Sequence, residues 1–355
     1  MSKIIIYTQA YNAELTIGAT IESIQAQTFT DYCHYIVDNK STDRTGSIID
    51  EYAKNDKRIV KFVNAKNDMA AMRDFFPIIL GRHSDECYGC ILDADDTYLP
   101  TFFEKMLNFA KDNELDIAAC GYDSIDALTG ECIMPRALGY NLVLERKDLA
   151  DQFLVYRRFM ATLWAKLISF PVLKQCFCTD YMINKYRQYL HIIQGGELLV
   201  TTFAFLQAQK IGIWGEALHR YTVSKTSLSY QWNSSRVESD QALYKYTMDY
   251  LLEFGPVSKL NQDYMYAIYL GLIQGTLQLI YDTDRTLAEK LDDISQIFSC
   301  QITKDMLSLQ ADPQFRNLAE RQQFLQSVIN WMNMQDGIEN FQTLAENIRS
   351  NMRGQ

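Results

Sequence analysis

Three carboxylates lie within four residues of one another in the segment ILDADD, residues 91–96, which we call the acidic segment. Asp93, Asp95 and Asp96 follow an apolar run, so they are expected at the end of a buried strand. Two carboxylates separated by one residue can share a divalent cation, and their oxygens suit Mg²⁺ or Mn²⁺. Such sites commonly keep positions open for the phosphate oxygens of a substrate. Metal-assisted chemistry on a phosphate-containing substrate is therefore one reaction that this segment could support.

Two other interpretations of the acidic segment remain open. Asp96 could cap the helix that follows, with Pro100 in its first turn, but this explains only one of the three carboxylates. A strand followed by D-x-D-x-T also resembles the start of the haloacid-dehalogenase-like phosphatases, in which the first Asp is the nucleophile and both acids hold Mg²⁺. That reaction needs a later acidic pair after a strand. The only later Asp-Asp pair, Asp292-Asp293, lies in a helical pattern.

The elements around the acidic segment alternate between strand and helix. Strands are predicted at Lys3–Thr8, Tyr35–Val37, Arg58–Val63, Tyr88–Leu92 and Asp116–Cys120, and helices at Leu15–Gln25, Ser41–Tyr52, Asp68–Leu80 and Leu99–Lys111. Alternation with short connections predicts an α/β domain with a mainly parallel sheet flanked by helices. In open sheets of this kind, ligands bind at the carboxyl ends of the strands, where residues 8–12, 38–42 and 93–96 are expected.

The second part of the chain shows helical periodicity without a recognisable strand pattern. Predicted helices cover residues 238–254, 264–281, 285–298 and 315–332. Gly255-Pro256 ends the first of these, and Asp312-Pro313 is a cap followed by a first-turn proline. We therefore predict an α/β domain over residues 1–235 and an all-α domain over residues 236–355. The helical domain could bind an acceptor, pack against a second subunit in an oligomer, or contact a membrane, and the acidic balance of the chain argues against direct binding to an anionic membrane.

Composition argues against several classes of function. The 355 residues include 34 Lys plus Arg and 44 Asp plus Glu, which gives a net charge of −10. A nucleic-acid partner is not expected, because such surfaces need a basic stripe. No apolar run reaches the roughly 18 residues of a transmembrane segment, so none is expected. Eight cysteines without a signal-peptide pattern predict reduced thiols and a cytoplasmic protein.

Four segments, in order, resemble the family-2 glycosyltransferases, which have the nucleotide-sugar-binding GT-A fold. They are TQAYNA at residues 8–13, IVDNKSTD at 36–43, NDMAAMR at 67–73 and ILDADD at 91–96. The family usually has P-T-Y-N, V-D-D-G-S-T-D, an Asn- or Gly-rich turn leading to A-R-N, and the D-x-D metal motif. Each segment is weakly specific alone, but their order and spacing make the resemblance specific.

A fainter resemblance continues to about residue 230. Trp164-Ala-Lys-Leu167 is similar to the W-N-K-L found beside the family's acceptor site. Gly195-Gly-Glu197 falls where the family has G-E-D, whose Asp is the catalytic base. Leu218-His-Arg-Tyr221, followed by Ser227-Leu-Ser229, resembles the closing L-Y-x-Y-R…S segment. The helical domain has no counterpart in this pattern.

The resemblance implies a GT-A-type sheet and a metal-dependent, inverting glycosyltransferase that acts in cell-surface glycan synthesis. The donor would be a nucleoside diphosphate sugar, most often UDP-linked, the acceptor a glycan or other hydroxyl compound, and the cofactor Mn²⁺ or Mg²⁺. The implied donor-binding residues are Gln9, Ala10, Tyr11, Asn12, Asp38, Arg73, Asp93 and Ala94. Asp93 and Asp95 would hold the metal, Trp164 and Lys166 would bind the acceptor, and Glu197 would be the base. His219 is an additional candidate ligand, because imidazole suits Mn²⁺ tolerably.

Each of these residues also has an ordinary structural interpretation. Asp38 could cap the helix that follows it, and Arg73 could be a solvated helix charge. Glu197 could be a surface or capping residue at the start of a helix. Trp164 could belong to the core, and His219 could be structural.

The sequence departs from the family pattern at several positions. Gln9 and Ala10 replace Pro and Thr, and Asn39-Lys40 replaces Asp-Gly. Glu197 stands where Asp is usual, which moves the carboxylate by about one methylene. A GT-A-like module without activity is therefore an alternative beside the phosphatase. It predicts no binding of metal or nucleotide, whereas the phosphatase predicts phosphate release from simple phosphoesters.

Overall fold

The computed structural model describes residues 3–68, 71–185, 187–189, 195–224 and 231–308. The chain forms two compact units. Unit 1 comprises Met1–Leu190 and Gly196–Ser224, and unit 2 comprises His191–Gly195 and Lys225–Gln355. The predicted domain boundary between residues 235 and 236 stays a prediction.

Unit 1 is a β-sheet with helices packed on it. The strands are β1 (Ile4–Ala10), β2 (Tyr32–Asp38), β3 (Ile59–Val63), β4 (Tyr88–Ile91), β5 (Thr97–Tyr98), β6 (Ile117–Asp126), β7 (Cys132–Arg136), β8 (Leu142–Glu145), β9 (Lys166–Ser169) and β10 (Lys210–Val223). The helices are α1 (Ile17–Gln25), α2 (Thr45–Asn55), α3 (Met72–Leu80), α4 (Phe102–Asp112), α5 (Phe153–Met160), α6 (Phe170–Phe177), α7 (Tyr181–Lys185) and α8 (Gly196–Gln207). Short 3-10 turns cover Arg146–Asp148 and Arg187–Tyr189.

The sheet is mixed, with the order β3-β2-β1-β4-β9-β6-β10-β5, and with β7 on β6 and β8 on β10. Strands β1 to β4 pair in parallel, and so do β6 and β10. Strand β9 runs antiparallel between β4 and β6. The predicted α/β fold is confirmed, and antiparallel strands complete the sheet beyond its parallel part.

Burial explains why the first strands form a parallel sheet. Every residue of β2 is buried, and Gln9 alone in β1 is partly exposed, as expected for strands that are covered on both faces. Helix α1 buries Ile17, Ile21 and Ile24, a spacing that puts all three on one face. Because β1 pairs with both β2 and β4, the polar residues that follow these strands meet at one edge of the sheet.

The helices and strands predicted before residue 120 are all present, with β6 extending past the expected end to Asp126. Strands β5 and β7 to β10, and helices α5 to α8, lie outside the predicted elements. Strand β10 contains register shifts between Trp214 and Ala217 and between Ala217 and His219. Such bulges break the two-residue alternation on which strand prediction depends.

Unit 2 is helical over its described residues, as predicted. Its helices are α9 (Arg236–Leu252), α10 (Lys259–Asp282), α11 (Leu287–Ser299) and α12 (Gln301–Ser308). A capping box between Thr286 and Glu289 starts α11. The helix predicted at residues 315–332, its cap Asp312-Pro313, and Ser227-Leu-Ser229 lie outside the described residues.

Across the described part of the chain, each helix is too short or too polar to span a bilayer. All eight cysteines are free thiols. A cytoplasmic location stays a prediction.

Candidate active site

The acidic segment after β4 is the centre of the candidate site. Asp93 and Asp95 are exposed, whereas Asp96 is fully buried. Solvent reaches the two exposed carboxylates, but protein surrounds them on most sides. This burial raises the pKa of both, and the charges of Asp96, Glu197 and Asp95 raise that of Asp93 further. Accessible oxygens that repel one another in this way suit a cation.

Asp96 is held by β10 and not by the helix that follows it. Its Oδ1 accepts the backbone N–H of Thr222 at 2.7 Å, and its Oδ2 lies 2.8 Å from Nε2 of His219. Burial, reinforced by the charge of Lys166, lowers the pKa of His219 to about 3. The contact is therefore a hydrogen bond of a neutral imidazole. The interpretation of Asp96 as the cap of α4 is wrong, because Thr101 stands at that position and no side chain caps the helix.

The arrangement around His219 does not support it as a third metal ligand. Its Nε2 is engaged by Asp96, and its Nδ1 is buried with no hydrogen-bond partner among the described residues. Within the part of the chain that the structure describes, no three His, Cys, Asp or Glu side chains form a group that could hold a metal ion. Asp93 and Asp95 remain the candidate ligands.

The loops after β1 and β2 are joined by hydrogen bonds between side chains and backbone. Asn12 has a φ of 47°, and its side-chain oxygen accepts the N–H of Thr42 at 2.8 Å. Oδ1 of Asp38 accepts the N–H of Ser41 at 2.9 Å. A Cβ on Gly46 would lie only 2.6 Å from Oδ2 of Asp38. Asp38 therefore caps a turn that precedes α2, and the backbone of Gly46 packs against its carboxylate.

Gln9 and Asn39 hold the loop at residues 64–68. Nε2 of Gln9 donates to the carbonyl oxygen of Asp68 at 3.0 Å, and Nδ2 of Asn39 donates to the same oxygen at 3.1 Å. Oδ1 of Asn39 accepts from Nδ2 of Asn64 at 2.8 Å. Asn39 is only 1% exposed. Gln9 and Asn39, which both depart from the family pattern, therefore stabilise this loop. The amide nitrogen of Gln9 is bound to the protein itself.

The remaining predicted donor-binding residues differ in the solvent exposure of their side chains. Tyr11 is 46% exposed, and Arg73 is exposed in the first turn of α3. Both side chains can therefore be reached by a ligand. Ala10 and Ala94 are buried, so any contact they make would involve the main chain.

Glu197 and Lys166 lie together although 31 residues separate them. Glu197 is in the first turn of α8; solvent reaches the residue, but protein surrounds its carboxylate on most sides, and this burial raises its pKa. Lys166 is 1% exposed and donates to the carbonyl oxygen of Thr162, to Oγ1 of Thr162 at 2.9 Å and to the carbonyl oxygen of Trp164 at 3.0 Å. Three acceptors match the three hydrogens of an ammonium. The geometry therefore argues against the predicted contact between Lys166 and an acceptor.

Trp164 is part of the core. It is 6% exposed, and its indole stacks on His219 with ring centroids 4.4 Å apart and on Tyr221 with centroids 5.2 Å apart. Tyr122 packs edge-on against it, with centroids 4.6 Å apart. This burial favours the structural interpretation of Trp164 over a stacking surface for an acceptor sugar.

The chain is similar to known glycosyltransferases. Residues 5–176 match the family model described as Glycosyl transferase family 2. An uncharacterized glycosyltransferase, YibD, of Escherichia coli strain K12 is 25% identical over 233 residues, which cover 64% of this chain and 63% of that protein. The Escherichia coli protein WfaP is named UDP-Glc:alpha-D-GlcNAc-diphosphoundecaprenol beta-1,3-glucosyltransferase. It is 29% identical over 175 residues, which cover 48% of this chain and 65% of WfaP.

A solved structure with a similar fold is that of residues 1–349 of TarS from S. aureus in complex with UDP-GlcNAc. The TM-score is 0.51 at 16% identity, and the alignment covers 99% of this chain and 88% of that one. At this identity the likeness concerns the fold alone. The chain spans less than two thirds of the length of three of its curated relatives, at 63% for YibD, 65% for WfaP and 40% for the Bacillus subtilis glycosyltransferase EpsJ.

Proposed function

With residues 5–176 identifying the chain as a member of glycosyltransferase family 2, we propose that it moves a sugar from a nucleoside diphosphate sugar to a hydroxyl acceptor. One observation carries the proposal. Solvent reaches Asp93, Asp95 and Glu197, and burial together with the charges of Asp96, Glu197 and Asp95 raises the pKa of Asp93. The first two follow the carboxyl end of β4, where open α/β sheets bind their ligands.

We infer a UDP-linked donor from the relatives. WfaP is named for UDP-Glc, and TarS was solved with UDP-GlcNAc. Asp38, the last residue of β2, would contact the base or ribose. Arg73 would bind the diphosphate through charge-assisted hydrogen bonds.

A glycan acceptor used in cell-surface polysaccharide synthesis is proposed on the same basis. WfaP is named for an acceptor that carries GlcNAc on diphosphoundecaprenol. A further relative, from Bacillus spizizenii, is named poly(ribitol-phosphate) beta-glucosyltransferase and is 27% identical over 229 residues. Both names describe transfer of glucose to a polymer or to its lipid-linked precursor.

Asp93 and Asp95 fit a divalent ion such as Mn²⁺ or Mg²⁺. Both offer accessible carboxylate oxygens, and one or two protein carboxylates are usual where substrate phosphates complete the coordination. A bound ion would supply positive charge that stabilises the departing diphosphate.

Glu197 is the proposed general base. As the acceptor oxygen bonds to the anomeric carbon, its proton passes to the Glu197 carboxylate and the diphosphate leaves with the bonding electron pair. Attack on the face opposite the leaving group inverts the configuration at that carbon. Burial raises the pKa of Glu197, which brings it closer to neutral pH and improves it as a base.

Calorimetric titration of UDP tests the proposal. The wild type and the control Asp112→Ala, which removes an exposed carboxylate at the end of α4, should bind UDP with Mn²⁺ and lose binding with a chelator. Asp95→Ala should not bind. Failure of the wild type to bind UDP, GDP, CDP and dTDP would overturn the proposal.

The phosphatase alternative is not favoured. The acidic pair that such an enzyme would need lies in α11, where Asp293 pairs with Arg285. The family match and the relatives are glycosyltransferases. An inactive module would give the negative calorimetric result described above.

A further inference from the structure

We propose that Thr222, on β10, is a positioning residue for Asp95, because its hydroxyl holds the main chain from which Asp95 would bind the metal ion. The inference rests on the proposed role of Asp93 and Asp95 as metal ligands. Thr222 lies between the segments Leu218–Tyr221 and Ser227–Ser229, which resemble the family pattern, and belongs to neither.

The register of β5 on β10 places Thr222 opposite Asp95. Arg220 pairs with Thr97 in this antiparallel ladder, and the same register continued by two residues brings Thr222 level with Asp95. On its other side, Thr222 pairs with Ile125 of β6. The acidic segment therefore lies beside a residue whose own position is fixed by a neighbouring strand.

Thr222 forms two hydrogen bonds to the acidic segment, one with its side chain and one with its main chain. Its Oγ1 donates to the carbonyl oxygen of Asp95 at 2.5 Å, and its N–H donates to Oδ1 of Asp96 at 2.7 Å. The other carboxylate oxygen of Asp96 lies 2.8 Å from Nε2 of His219, which is also on β10. Strand β10 thus holds the Asp95 main chain through the hydroxyl of Thr222 and the Asp96 side chain through two further contacts.

The bond to Asp95 acts on a single peptide group. The carbonyl of Asp95 and the N–H of Asp96 belong to this peptide, and the N–H donates to the carbonyl oxygen of Asp93 at 3.2 Å. Since a peptide is planar, the hydroxyl that fixes its oxygen also fixes the direction of its N–H. A hydrogen bond at the carbonyl also polarises the amide, which makes the N–H a stronger donor.

This N–H closes the four-residue turn that carries both candidate metal ligands. The bond between Asp96 and Asp93 joins the last residue of the turn to the first, and Asp95 lies between them. The turn sets the directions in which the Asp93 and Asp95 side chains leave the main chain. Groups that orient metal ligands through hydrogen bonds typically contribute roughly 10- to 100-fold in metal affinity. We therefore expect loss of the Thr222 hydroxyl to weaken metal binding.

Titration of Mn²⁺ in the presence of UDP tests this expectation, with the electron paramagnetic resonance signal of free Mn²⁺ giving the bound fraction. Thr222→Val keeps the branched shape and the main-chain N–H but lacks the hydroxyl, and it should weaken Mn²⁺ binding about tenfold or more. Thr222→Ser keeps the hydroxyl and should bind Mn²⁺ as the wild type does.

Thr283→Val is the matched control. It removes a hydroxyl that donates to the carbonyl oxygen of Ile280 at 2.8 Å, at the end of α10 in unit 2. The lost bond is of the same kind as that of Thr222, and Mn²⁺ affinity should be unchanged.

Hydrogen exchange at the Asp96 amide provides a readout that needs neither metal nor nucleotide. In Thr222→Val this exchange should be about tenfold faster or more, because the peptide has lost one of its two bonds. Thr222→Ser and the control should match the wild type, and the amides of β1 should exchange at the same rate in all four proteins. If Thr222→Val does not fold, Thr222→Ala replaces it in both measurements.

The outcomes separate this inference from the proposed function. Weaker Mn²⁺ binding and faster local exchange, both absent from Thr222→Ser, would support the role of Thr222. An unchanged Mn²⁺ affinity, an equal loss in Thr222→Ser, unchanged exchange at Asp96, or equally faster exchange in β1 would overturn it. Failure of the wild type to bind UDP would overturn the proposed function, and exchange at Asp96 would still decide whether Thr222 holds the turn.

Discussion

Nε2 of His219 and Oδ2 of Asp96 are 2.8 Å apart, with both side chains completely buried. The pair joins β10 to the acidic segment across 123 residues of sequence. Trp164 stacks on the imidazole, so the contact is enclosed in the core. The third carboxylate of the acidic segment is thus structural, and it fixes the backbone that carries Asp93 and Asp95.

Substitutions of Asp96 and Asp95 should therefore differ in their effect on the free energy of unfolding. Asp96→Ala should lower the free energy of unfolding by about 2–3 kcal/mol, because the Thr222 N–H and the His219 ring lose their partner. Asp95→Ala should not lower it, because burial raises the pKa of Asp95 and the folded protein therefore disfavours its charged form. Urea denaturation measures both. Equal losses would contradict the structural assignment of Asp96.

A second prediction concerns acid stability. His34 is fully buried, its Nε2 lies 2.9 Å from Oγ1 of Thr8, and burial lowers its pKa from 6.5 to about 3. The unfolded chain therefore binds the proton more readily than the folded one. The contribution of His34 to stability should be complete above pH 6.5 and fall by about 1.4 kcal/mol per pH unit as the pH drops towards 3.

The matched variant is His34→Gln, whose amide can still bond to Thr8. Urea denaturation of both proteins from pH 7 to pH 4 should give a shallower pH dependence for the variant. Parallel curves would show that His34 does not titrate on unfolding.

Two glycines in helices should respond differently to alanine. Gly46→Ala would place a Cβ 2.6 Å from Oδ2 of Asp38, so the carboxylate must move, and UDP affinity should fall about tenfold if Asp38 binds the donor. In Gly18→Ala the new Cβ would lie 3.6 Å from the Tyr52 hydroxyl oxygen, and the change should raise stability by about 0.5–1 kcal/mol without changing UDP affinity. Calorimetry and urea denaturation give the two quantities. Unchanged UDP affinity in Gly46→Ala would argue against Asp38 as a donor contact.

Substituting the usual family residues at positions 39 and 40 should change the stability of the protein in opposite directions. Asn39→Asp replaces the amide that donates to Asn67 and to the Asp68 carbonyl with a second acceptor, and should destabilise the protein by about 1–3 kcal/mol. Lys40 has a φ of 63°, so Lys40→Gly should relieve strain and stabilise by about 0.5–1 kcal/mol. Thermal unfolding compares the two, and stabilisation by both would show that Asn39 is not required for the loop.

The sequence predicted those elements whose residues show a periodic or apolar pattern within a single strand or helix. Apolar runs followed by Asp38 and Asp93 predicted parallel strands and the edge at which their ends meet. Contacts that join distant residues have no local signature. Thr222 is one threonine in a bulged strand, and its bond to Asp96 is visible only once β10 lies beside the acidic segment. Trp164 and Lys166 matched a motif in residue type, but their burial depends on the sheet around β9.

The antiparallel direction of β9 determines which of its residues lie at the edge of the sheet that carries Asp93 and Asp95. Tyr88 pairs with Ser169 and Gly89 with Ile168, so this register brings Lys166 level with Ile91 at the end of β4. A parallel strand presents the residues that follow it at this edge, whereas β9 presents those that come before it. Asp93 and Asp95 thus reach this edge in the segment that follows β4, whereas Lys166 reaches it as the first residue of β9. Scanning only the segments after strands would overlook Trp164 and Lys166, and an insertion before Lys166 would reach the acidic segment through the stack of Trp164 on His219.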